Sequence, residues 1–279
     1  MTTMIIGETG PARTGEIEGI ILNQWGFPER GLQSLLLFDV ASGTSLVDKL
    51  GGPSGVIDSV ANNGNAFARL AGGGISLTGS QLASKPAFEH GTAHTIFTWC
   101  RIVDDRNVAG EDIAGLIGTR DFVTTPRGYL AYTRGVNELN VVDPLGDYNH
   151  RPANGTGSVG TAEALEPQNI NLSQVPTMVM IGYNGTNTVT TEIWTTNGTL
   201  RCRDDMTVTA AQLFSIAATT ISNLQWALGG PTSTYSSGVV QHECAARSNR
   251  APSDYSLLEK QLLQAAGAAL GATRGRAWA

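Results

Sequence analysis

The stretch HTIFTWCRIVDD, residues 94–105, alternates about its centre. In an extended chain Ile96, Thr98 and Cys100 fall on one side, with Phe97, Trp99 and Arg101 on the other. β-branched and aromatic residues at period two make a strand with a packing surface on each face. Similar runs recur outward from it. LQSLLLFDV (32–40) and the pieces flanking the triple glycine of FARLAGGGISLTG (67–79) precede it. IAGLIGTRD (113–121), GYLAYTRG (128–135), ELNVVDPLG (138–146), TMVMIGYNG (177–185), TVTTEIWTTNG (188–198) and LQWALGG (224–230) follow. Asn184-Gly185 and Asn197-Gly198 lie between β-rich runs, a strong short-range hairpin signal. Strands this frequent predict an all-β sandwich or barrel spanning about 32–250.

Three segments break the pattern. Residues 1–31 mix Gly, Pro and charge without sustained periodicity before Trp25, Phe27 and Pro28, and are expected as an extended N-terminal arm with an aromatic anchor, with a first strand packed on the same domain as the alternative. Residues 147–174 are polar and rich in Pro, Gly and Asn, so a long loop of functional or interface use is expected there. Only SDYSLLEKQLLQAAGAAL reads as a helix, over 253–270, with Ser253 as cap, leucines 257, 258, 262 and 263 at helical spacing, and Gly271 as a stop. The expected domain is therefore 32–270, followed by a tail at 271–279 that carries Trp278.

Composition narrows the function. Of 279 residues only 15% are charged, the net charge is −6, and glycine occurs 34 times. Nucleic-acid binders need clustered Lys and Arg, and the most basic stretch here is the short Arg247–Arg250. No apolar run approaches the roughly 18–20 residues of a membrane-spanning helix. Residues 1–30 lack a basic start followed by an apolar core, so no secretion signal is expected. Cys100, Cys202 and Cys244 are far apart and odd in number, as expected for reduced, buried thiols.

The order of these pieces resembles the concanavalin A-like (laminin-G-like) jelly-roll family. Phe38-Asp39 followed by Ser42-Gly43-Thr44 matches an opening F-D-x-x-S-G-T segment, and LAGGGISLT matches a Gly-rich approach to a strand. HTIFTWCRIV with Trp99 loosely matches F-T-x-x-x-W, and Tyr183–Thr186 gives Y-N-G-T. Arg250, Ala251 and Ser253 match the start of the closing helix. The resemblance covers about residues 34–265, and VVQHECAA departs from the E/D-V pair usual in its closing strand. It implies an antiparallel jelly-roll sandwich, and Asp39 and Asp48 are the nearest candidates for the loop calcium such domains often carry.

Motifs for catalysis and metal binding are sparse. A retaining glucanase needs two carboxylates about 5–5.5 Å apart on one face, and no E-x-D-x-(x)-E strand occurs. Glu111-Asp112 and Asp204-Asp205 are adjacent pairs, expected as solvated loop carboxylates. GTGSVG (155–160) fits a dinucleotide fingerprint by letter but lacks the preceding strand. His90 and His94, or His242 and Cys244, give at most two ligands each, too few for zinc. Asn154, Asn171, Asn184 and Asn197 begin N-x-S/T sequences that a chain without a secretion signal does not use. Trp25, Tyr148 and Tyr235 could stack on sugars.

No catalytic, cofactor-binding or metal residues are therefore assigned, and no enzyme is expected. The resemblance, without disulfides or a signal, implies a bacteriophage virion component: a capsid decoration protein, head fibre or tail part. It would act by protein–protein assembly, with other virion proteins and copies of itself as partners. The alternative is a lectin-like module that binds a host-surface glycan.

Overall fold

The computed structural model describes residues 15–17, 19–40, 43–59, 67–78, 81–84, 92–104, 113–119, 129–136, 142–152, 163–164, 175–195, 197–209, 226–229 and 239–276. Two antiparallel sheets dominate it, with strands numbered in chain order. The first runs β13 (Glu163–Ala164), β12 (Val142–Pro152), β11 (Tyr129–Val136), β10 (Ile113–Thr119), β17 (Trp226–Gly229), β8 (Gln81–Ser84), β5 (Gly55–Ser59), β4 (Ser45–Leu46). The second runs β16 (Leu200–Thr207), β15 (Thr188–Thr195), β14 (Thr177–Tyr183), β9 (His94–Asp104), β18 (Val239–Ser248), β7 (Ile75–Thr78), β6 (Ala68–Arg69). β3 (Leu32–Leu36) pairs with the second half of β18. A separate hairpin joins β1 (Gly15–Ile17) and β2 (Ile20–Leu22).

Alternation in the central strand makes two apolar layers. Ile96, Cys100 and Ile102 point into the core between the sheets, where they meet Val179, Ile181, Leu116 and Leu228. Phe97 and Trp99 point the other way, against Met178, Met180, Cys244 and helix α1 (Leu257–Thr273). The second sheet is thus covered on both faces, which is why all seven residues of β14 are buried although its sequence does not alternate. Both Asn-Gly pairs form the expected turns, with Gly185 at φ 82° and Gly198 at φ 72°, a region that side chains avoid. β6 and β7 flank the triple glycine as the sequence suggests.

Three boundary expectations need correction. The helix begins not at Ser253, which lies in a short 3-10 turn (Pro252–Asp254), but after Ser256. The Ser256 side chain accepts from the Glu259 N–H, and the Glu259 carboxylate accepts from the Ser256 N–H at 2.8 Å, a reciprocal cap. Tyr255, between the two turns, turns inward beside Phe97. The helix also passes Gly271 to Thr273. The polar stretch 147–174 is not wholly a loop. β12 extends to Pro152, paired from Arg134↔Asp147 to Tyr129↔Pro152, and β13 lies within it.

The third correction concerns the arm. Residues 19–30 fold onto the outer layer. Asn23 Oδ1 accepts from the Trp25 and Phe27 N–H groups at 3.0 and 3.1 Å. That turn sends Phe27, 1% exposed, edge-on into Trp99 at 5.2 Å between centroids. Trp25 packs partly buried on the same cluster. The start of the expected tail is held as well. Arg274 donates to the Glu243 carboxylate and carbonyl, and Arg276 grips the same carboxylate. Arg276 also donates to the carbonyls of Ala71 and Gly73 in the triple-glycine turn. Residues 1–14 and 277–279 lie outside the described residues.

Candidate functional site

The inner face of the second sheet is mostly apolar, with Thr98 and His242 paired within it, and turns polar near one end of the sandwich. There β18 places Arg247, partly buried, opposite Ile96 of β9 and Ser34 of β3. His94, at the start of β9, and Tyr183, at the end of β14, are register partners. The His94 ring stacks on Tyr129 at 5.9 Å and 16°, and lies 6.0 Å from the Tyr183 ring. Arg247 is close enough to act electrostatically on His94 and Tyr129, and Asp48 acts on Arg247.

The hydrogen bonds fix the protons. His94 Nδ1 lies 2.8 Å from the Thr92 carbonyl, which only accepts, so Nδ1 carries the hydrogen. Nε2 of the neutral ring is then an acceptor for the Tyr129 hydroxyl. Burial drives the His94 pKa down to about 4, against the Thr92 hydrogen bond, and the Arg247 charge lowers it further. Burial likewise raises the Tyr129 phenol. The Tyr183 hydroxyl donates to the Thr186 carbonyl at 2.6 Å, and Asn184 Oδ1 accepts from the N–H groups of Thr186, Asn187 and Thr188. A hydrogen-bonded turn therefore adjoins a buried cluster of neutral rings, and the Arg247 charge acts on two of them.

The motifs singled out in the sequence disperse. Asp39 pairs with Lys49 at 2.5 Å, while Asp48 accepts from the Leu35 and Leu50 N–H groups at 3.1 and 2.9 Å, so the two do not converge as calcium ligands. A bulge between His242 and Cys244 puts Cys244 in the outer layer and the His242 ring against Thr98 at 2.8 Å. No group of three or more His, Cys, Asp or Glu suited to a metal occurs among the described residues. Asp204 and Asp205 lie on β16, not in a loop. Glu111, Asp112, His90, Tyr235 and residues 155–160 lie outside the described residues.

One constellation escaped the sequence reading because it spans two strands and the helix. Glu192 and Asp205 sit on the same face of the β15–β16 pair, where Thr190 and Asp205 are partners. Glu192, 1% exposed, accepts from Lys260 Nζ at 2.7 and 2.9 Å and from the Trp194 indole at 2.9 Å. A carboxylate enclosed this way is a structural ion-pair member, with no open approach for a sugar. The available sequence signal was only an acidic residue in a β-rich run, Glu192-Ile193-Trp194.

No protein-family model and no curated protein sequence matches the chain. Solved structures do. The fold is of the all-β, antiparallel jelly-roll class. It is similar to the ligand-binding domain of botulinum neurotoxin serotype D, solved in complex with N-acetylneuraminic acid, at 10% identity and a TM-score of 0.50, over 84% of this chain and 50% of that one. It is also similar to Trypanosoma rangeli sialidase in complex with sialic acid, at 14% identity and a TM-score of 0.51, over 92% of this chain and 35% of that one. The chain thus spans half or less of the length of either structure.

Proposed function

We propose that this chain is a non-enzymatic carbohydrate-binding module for attachment to a cell surface, and that Arg247 at the end of the sandwich reads an acidic sugar. The observation that carries the reading is the partly buried Arg247 guanidinium near the end of β18, which acts electrostatically on the buried, neutral His94 and Tyr129 rings. A guanidinium suits a carboxylate through paired donors. The jelly-roll likeness, which includes structures holding sialic acids, supports the same ligand class.

Burial chemistry favours binding over catalysis. A general acid or base works best with a pKa near the operating pH. Burial instead sends His94 to about 4, His242 to about 3, and Cys100 and Cys202 to about 12. The expected place in a bacteriophage particle rests on the sequence resemblance, and neither structure named above is a virion protein. A glycan-binding module is compatible with such a place.

Titration with N-acetylneuraminic acid and with neutral hexoses, followed by ligand-observed NMR, tests the proposal. Preference for the acidic sugar, lost on Arg247→Ala and partly kept on Arg247→Lys, is expected. No sugar binding, or equal binding by the Arg247→Ala variant with its fold intact, overturns it.

A further inference from the structure

A second surface lies on the outer layer, between the β1–β2 hairpin and the start of α1. It is an open groove of about 810 Å³, lined by Ile20, Ile21, Glu29, Arg30, Ser256 and Leu258 among others. Of the two most exposed large hydrophobic side chains among the described residues, Ile21, 56% exposed, lines it from the hairpin, and Leu257, 61% exposed, stands on the helix between the lining residues Ser256 and Leu258. The hairpin pairs with neither main sheet, and only the Leu22↔Pro28 bridge extends its pairing. A lone two-stranded hairpin is marginal in water without a surface to pack on. The helix start does not call for an anion, because Ser256 and Glu259 already cap each other and Arg250 pairs with Glu259 at 2.6 Å.

We propose that this groove is an interface for a second copy of the chain, docked about a two-fold axis so that Ile21 and Leu257 of each copy are buried against the other. The charges select this occupant. Glu29 and Arg30 are adjacent and exposed, and neither side chain forms an ion pair among the described residues. Opposite charges side by side on one lip are self-complementary across a two-fold axis: each Glu29 meets the partner copy's Arg30, and the reverse. A contact of this kind closes on itself and yields a dimer, not a fibre. It also lets a chain with net charge −6 approach its own copy at a locally neutral patch.

Sedimentation velocity of the full chain across a wide concentration range tests this, with circular dichroism to confirm folding. The chain is expected to dimerise. Ile21→Glu and Leu257→Glu should each weaken dimerisation by roughly a hundredfold or more, since each buried apolar side chain is lost twice per dimer. Glu29→Arg and Arg30→Glu should each weaken it, and the double reversal Glu29→Arg/Arg30→Glu should restore it, an outcome that simple charge removal does not give. A monomer at every concentration overturns the proposal and leaves the groove to a different partner. So does a dimer indifferent to all four substitutions, or one not restored by the double reversal.

Discussion

Replacing Gly267 by alanine sets two known effects against each other. Gly267 lies inside α1, where alanine is favoured by about 1 kcal/mol on helix propensity. The structure reverses the sign. A Cβ at this position would come within 2.0 Å of Trp99 Cδ1 and 2.3 Å of its Cγ and Nε1. The indole cannot retreat: it is fully buried, with Phe27 edge-on at 5.2 Å and Phe97 stacked at 6.1 Å. The helix must lift from the sheet instead, at an overpacking cost near the upper end of about 1–3 kcal/mol. The net loss should be about 2 kcal/mol, which lowers the thermal midpoint by roughly 4–8 °C in a domain of this size. Urea unfolding followed by tryptophan fluorescence and by far-ultraviolet circular dichroism measures it. In a Trp99→Leu background the same change should become neutral or stabilising, because only the propensity gain remains. A stabilised Gly267→Ala single variant would refute the close helix–sheet contact on which the outer layer depends.

Two further predictions concern burial. The His94 and His242 pKa values, about 4 and about 3, lie below the ordinary 6.5, so the unfolded chain takes up protons first. Stability from the neutral rings is complete above pH 6.5 and falls with pH towards the folded values, by about 2 kcal/mol per histidine at pH 5. His242→Asn should reduce that loss by about half, and an unfolding free energy equal at pH 7.5 and pH 5 would contradict the assignment. Phe27→Ala should cost about 3–5 kcal/mol as a core truncation; a variant as stable as the parent in urea would return residues 19–30 to the role of a free arm.

The sequence by itself determined the strands and their turns. Period-two alternation in residues 94–105 assigned Ile96 and Cys100 to one layer and Phe97 and Trp99 to another, and the structure fills both. The turns at Asn184-Gly185 and Asn197-Gly198 follow from local backbone preference, which needs no tertiary context. The helix was legible but its start was misplaced at Ser253, although the capping box Ser256-x-x-Glu259 stands in the sequence. Other features depend on residues far apart in the chain. Phe27 looks like an arm residue until Trp99 and α1 supply its slot. Glu192 gains its meaning from Lys260, 68 residues away. The candidate site joins residues 94, 183 and 247 through strand register and residue 129 through packing between the sheets, and a single bulge decides that His242 and Cys244 part company. Local preference sets what each segment can be, whereas register and layer packing choose which side chains meet. Those choices depend on long-range burial that periodicity does not encode.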